Sequence, residues 1–148
     1  MTILHPETTA APLTATSSAR APQDVRSRVE RAKHSFSTRT VGAHLRRARE
    51  VELITGEHVP RPGEVLLAEV TKVGHHKRLE SPVSRRQILF PGDEIVVAYG
   101  DRYAADQFLA MIPGDLGPAH LAAAGGLASR VLERPPASAP PPRSSRSV

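Results

Sequence analysis

Residues 91–101 read PGDEIVVAYGD, and this stretch decides the fold. Proline presets φ for a turn and a following glycine allows positive φ, so Pro91-Gly92-Asp93 reverses the chain. Glu94 to Tyr99 follows as a short run with Ile95, Val96 and Val97 at its centre. β-Branched side chains lose rotamer freedom in a helix and pack well on a pleated surface, so the run predicts a strand. Gly100-Asp101 turns the chain again.

The same grammar extends outward. Pro60-Arg61-Pro62-Gly63 is a break, and residues 65–72 (VLLAEVTK) alternate with both faces apolar at first, as in a partly buried strand. Gly74 ends that run. Residues 76–80 (HKRLE) and 85–90 (RRQILF) predict two polar strands joined by the turn Ser81-Pro82-Val83-Ser84. Downstream, residues 103–112 (YAADQFLAMI) fit neither period cleanly. Residues 119–134 (AHLAAAGGLASRVLER) predict two short strands meeting at a Gly125-Gly126 bend. Strands roughly 8–12 residues apart with Gly/Pro turns predict a mainly β domain, a small antiparallel SH3-like or OB-like barrel over residues 60–134.

Residues 23–59 form a basic helical segment. Val25, Val29, Ala32 and Phe36 recur at helical spacing, with Asp24 placed to cap and Arg26, Arg28, Arg31 and Lys33 between them. A second helix is expected from near Thr40, with Val41, Leu45 and Ala48 as its stripe, Arg46, Arg47 and Arg49 as its polar side, and Gly56 at its end. Residues 1–22, rich in Thr, Ala, Ser and Pro, and residues 135–148, dominated by Pro and Ser, are expected to be disordered tails, because neither buries enough apolar surface to offset its ordering entropy.

The 148-residue chain has no cysteine, which excludes disulfides, thiolate nucleophiles and cysteine-based zinc sites. No apolar run approaches the roughly 18 residues that span a bilayer, and no secretory leader is evident, so a cytoplasmic protein without membrane contact is expected. No phosphate-cradling GxxxxGK[ST], GxGxxG or GxSxG motif occurs. Five aromatic residues leave little for base stacking. No cofactor is implied.

The net charge of +5 is unevenly spread. Residues 1–55 carry +4, residues 56–134 carry −1 and the last fourteen carry +2. Within the β region, Lys72, Lys77, Arg78, Arg85 and Arg86 outweigh Glu80, whereas Asp93, Glu94, Asp101, Asp106 and Asp115 outweigh Arg102. These halves either pair with each other or present a cationic face to an anionic partner.

Two functional classes follow. The first is a non-enzymatic binding or accessory module. It would engage nucleic acid backbone or an acidic protein surface through Lys72, Lys77, Arg78, Arg85 and Arg86, with Arg46 and Arg47 from the second helix. The alternative is a small barrel enzyme or ligand-binding protein. There His75, His76, Asp101 and Asp106 would line a pocket for a small anionic metabolite held by Arg78 or Arg102. His75 and His76, with His120, are also metal-ligand types, but adjacent strand residues point to opposite faces, so no metal is assigned. A second copy of the chain is a further candidate partner, through the small residues 122–128.

Overall fold

A computed structural model describes residues 2–6, 22–47, 51–104 and 108–133. The decisive stretch forms strand β7 (Glu94–Tyr99) at the centre of the molecule, with Gly92 at φ 91° in the turn before it. Val70 N–H donates to the Asp93 carbonyl and Gly92 N–H to the Val70 carbonyl, both at 2.8 Å, so the Pro91-Gly92 turn is tied to the end of the neighbouring strand β4 (Val65–Glu69). β4 runs antiparallel to β7, from Val65 opposite Ala98 to Glu69 opposite Glu94.

The other edge of β7 is shared. Its first half takes β2 (Lys33–His34) and its second half takes β11 (Leu127–Glu133), both in parallel. β1 (Thr2–Pro6) continues the sheet beyond β4, and β3 (Val51–Ile54) lies beyond β1. On the far side, β9 (Phe108–Met111) pairs with β11 and β8 (Arg102–Ala104) with β9, while β10 (His120–Ala123) also pairs with β11. β5 (Arg78–Glu80) and β6 (Arg86–Ile88) make a separate two-stranded hairpin.

The described residues are therefore mainly β, with two short helices. Among the described residues the sheet path stays open from β3 to β8, and the expected closed antiparallel barrel is not observed. Its faces are covered by other elements instead. Leu66, Ala68, Ile95, Val97 and Tyr99 point to one side, where Leu79 and Leu89 of the hairpin region, Leu116 and Ala128 complete a core. Val65, Leu67 and Val96 point to the other, against Val25, Val29 and Ala32 of helix α1 (Pro22–Arg31) and its end, and Leu45 of α2 (Arg39–Arg47). A strand buried on both faces needs apolar side chains at consecutive positions, which is why β4 is buried from Val65 to Ala68.

Several local expectations shift. α1 starts at Pro22, where a missing N–H costs nothing, so Asp24 falls within the first turn rather than before it. The Val25, Val29, Ala32 stripe is buried as expected, but the helix stops before Phe36 because Lys33 and His34 pair with β7. α2 ends by Arg47, and residues 51–54, read as its continuation, form β3 against β1. β1 lies in the segment expected to be a disordered tail. That segment's last residue, Pro22, begins α1; the rest of it, and the C-terminal tail, fall outside the described residues. The ambiguous run 103–112 contains β9 and all of β8 but its first residue, and residues 119–134 contain the two strands that the glycine bend implied.

Candidate functional site

The β5–β6 hairpin brings the basic residues together. Its turn is closed by Ser84 N–H to the Ser81 carbonyl and by Ser81 N–H to the Arg85 carbonyl, with Arg85 N–H also donating to Ser81 Oγ. Register sets Glu80 opposite Arg86 and Arg78 opposite Ile88. Leu79 is fully buried in the core, so Arg78 and Glu80, its strand neighbours, lie on the outer face with Arg86. The cations thus avoid standing directly opposite one another, which would oppose pairing.

That outer face forms one wall of an open cleft of about 520 Å³. Lys77, Arg78 and Arg86 line it, with His75, His76, Ser84 and the carboxylate of Glu80. Among the described residues, no ion pair engages Lys77, Arg78, Arg85 or Arg86. The described acidic residues have partners elsewhere. Arg28 Nε donates to Glu94 at 2.7 Å, Lys33 Nζ contacts Asp93 at 2.5 Å, and Arg130 reaches Asp115 at 3.5 Å. Among the described residues no ion pair joins the two charge groups, and cations of the helical segment, not of the hairpin, pair with Asp93 and Glu94.

The β4–β5 connection carries the histidine pair. The His75 and His76 rings meet edge to face, 4.9 Å between centroids and 82° between planes. His76 Nε2 donates to the Ala122 carbonyl at 3.2 Å, and Arg102 Nη1 donates to the same oxygen at 2.5 Å. Burial pushes the His76 pKa below 6.5; the bond to Ala122 opposes this, and the charges of His75 and Arg102 add to it. On their other side His75 and His76 border a cavity of about 150 Å³ whose wall is mostly aliphatic, including Leu66, Ala68, Val97 and Ala128. Lys72 and His120 lie at this cavity, not at the cleft. His75, His76 and His120 share the cavity wall, and among the described residues no group of three or more His, Cys, Asp or Glu is placed to hold a metal ion.

The remaining sequence candidates are dispersed. Asp101 accepts the Ile112 N–H at 2.7 Å and lines neither the cleft nor the cavity. Asp106 lies outside the described residues, as does the side chain of Arg46. Arg47 is exposed on α2, whose buried Leu45 packs on the face of the sheet opposite the hairpin. Arg85 is exposed at the turn but does not line the cleft. The glycine bend serves its own chain: the Gly125 carbonyl accepts the Ser37 N–H at 2.8 Å, and the Gly126 carbonyl accepts Ser37 Oγ at 2.7 Å. Sequence reasoning missed the Ala122 carbonyl as the meeting point of His76 and Arg102, and it missed the aliphatic cavity. Neither has a local signature, since each is assembled from segments dozens of residues apart.

Comparison with protein-family models, with curated proteins and with solved structures finds no match for this chain. Among the described residues, no helix is long and apolar enough to cross a membrane.

Proposed function

We propose that this protein is a non-enzymatic binding module that grips an anionic macromolecule, with nucleic acid backbone as the favoured partner. The observation that carries this reading is the convergence of Lys77, Arg78 and Arg86 with His75 and His76 on one open cleft, against a single carboxylate, Glu80. Guanidinium forks match phosphate oxygens in geometry as well as charge. No aromatic ring lines the cleft apart from the two imidazoles, so contact runs to the backbone rather than through base stacking, and sequence preference is slight. The His/Asp enzyme reading draws less support, because Asp101 accepts the Ile112 N–H and lines neither space that His75 and His76 border.

Fluorescence anisotropy with labelled single-stranded and duplex oligonucleotides, titrated across salt concentrations, tests it. Three phosphate contacts give a slope of log K against log salt of about −2 to −3. Combining Arg78→Ala with Arg86→Ala weakens binding and removes roughly two units of that slope. Binding indifferent to salt and to both substitutions overturns the proposal. Polyglutamate bound more tightly than either oligonucleotide moves the partner to an acidic protein surface.

A further inference from the structure

We infer that the aliphatic cavity behind the histidine pair is a binding site for a small carboxylate with an apolar body about the size of one aromatic ring. This site goes beyond the macromolecular cleft and shares only His75 and His76 with it.

The size of the body follows from the wall. The cavity holds about 150 Å³, and the small side chains of Ala68, Ala119 and Ala128 are among those that line it. An apolar cavity of this volume accommodates a benzene-sized molecule. Buried Leu66, Leu89 and Val97 line it as well, so a ring there exchanges water for close aliphatic contact.

The charge of the head follows from the rim. Lys72, His75, His76 and His120 lie around the cavity against one carboxylate, Glu69. The Lys72 ammonium and the Nε2–H of His120, whose Nδ1 accepts from Val131 N–H at 3.3 Å, offer donors to an anion, whereas a cationic head would meet Lys72 directly. A ligand with an apolar body and a carboxylate satisfies both parts. A purely apolar molecule leaves the rim unused, and acetate leaves the wall unused.

Titration of the full chain with phenylacetate, followed by methyl ¹H–¹³C NMR, tests the site, with benzyl alcohol and acetate as controls. Saturable shifts of the Val97, Leu121 and Ala128 methyl signals are expected with phenylacetate, at an affinity at least tenfold above that for benzyl alcohol. Acetate gives no saturable shift. Ala68→Val and Ala128→Val, each reducing the space, weaken phenylacetate at least tenfold while oligonucleotide binding is kept. Lys72→Met removes the advantage over benzyl alcohol. Arg78→Ala with Arg86→Ala leaves phenylacetate binding unchanged, which separates this site from the cleft. Absence of saturable shifts in the unaltered protein overturns the inference, as does phenylacetate binding unaffected by both cavity-narrowing variants. Equal affinity for benzyl alcohol overturns the carboxylate assignment.

Discussion

The Cβ of Ser35 occupies the space in which a side chain on Gly126 would stand, since a Cβ built on Gly126 falls 2.1 Å from it. Gly126 also sits at φ 99°, a conformation that L side chains rarely adopt. This contact locks the loop after β2 to the β10–β11 turn. Ser35 N–H donates to the Val96 carbonyl on the central strand, and Glu80 N–H donates to the Ala124 carbonyl in that same turn. One close approach thus joins the helical side of the molecule, the glycine turn and the hairpin that carries the cleft cations.

Gly126→Ala is therefore expected to cost about 3 kcal/mol, from the clash and the positive φ together. Urea denaturation measures it. Ser35→Gly in the same chain recovers part of the loss, because it removes the opposing Cβ, and a double-mutant cycle with no coupling contradicts the assigned contact.

Leu79 ties the hairpin to the core, being fully buried between Arg78 and Glu80. Leu79→Ala should destabilise the protein by about 2–5 kcal/mol. It should also weaken oligonucleotide binding below the denaturation midpoint, because the cations ride on the strand it anchors. Full affinity in a folded Leu79→Ala protein would show that the hairpin is not the platform.

The pKa of Asp93 is lowered from 3.8 by its bond to Lys33 and by the Phe90 N–H at 2.7 Å. A depressed carboxylate stabilises the fold above its unfolded pKa, and that stabilisation is lost as pH falls through the folded value. Stability should thus decline below about pH 4. In Asp93→Asn, the part of this decline that belongs to Asp93 disappears.

His76 carries the opposite consequence for binding. Its pKa lies below 6.5, so as pH falls the unfolded chain takes the proton first and the fold loses stability across that window. Once protonated, His76 adds a cation to the cleft. Oligonucleotide affinity should therefore rise on acidification below pH 6.5, and His76→Gln should flatten that rise, as read by anisotropy at constant ionic strength.

Tyr99 is buried, and burial with the nearby charges of Glu64 and Asp115 pushes its pKa up to about 12. The chain has two tyrosines, so Tyr103→Phe leaves Tyr99 as the only chromophore of its kind. Tyrosinate absorbance in that variant should emerge near pH 12. Stability owed to neutral Tyr99 is full below about pH 10 and is lost as pH rises towards 12.

Much of the β region is legible in the sequence. The Pro91-Gly92 turn, the β-branched run to Tyr99, the paired basic strands and the glycine bend all rest on interactions within a few residues, which sequence pattern reports directly. Residues 51–54 were not legible. Val51 to Ile54 follow a helical stripe, but pairing with Thr2–Pro6, almost fifty residues away in the chain, makes them a strand. The site divides in the same way. That Arg78 and Arg86 share a face follows from strand alternation and a short turn, whereas Lys77 reaches the cleft from just before β5, and the meeting of His76 and Arg102 on Ala122 depends on three distant segments.

By itself, then, the sequence determined where the chain turns, which runs extend and where cationic side chains cluster, because φ preferences and side-chain alternation act locally. Only the tertiary structure decided that β7 takes parallel neighbours, that the sheet path among the described residues is open, and that Lys33 and Arg28 rather than the hairpin pair with Asp93 and Glu94. Those outcomes turn on which distant apolar faces bury one another, and burial has no preferred direction along the chain.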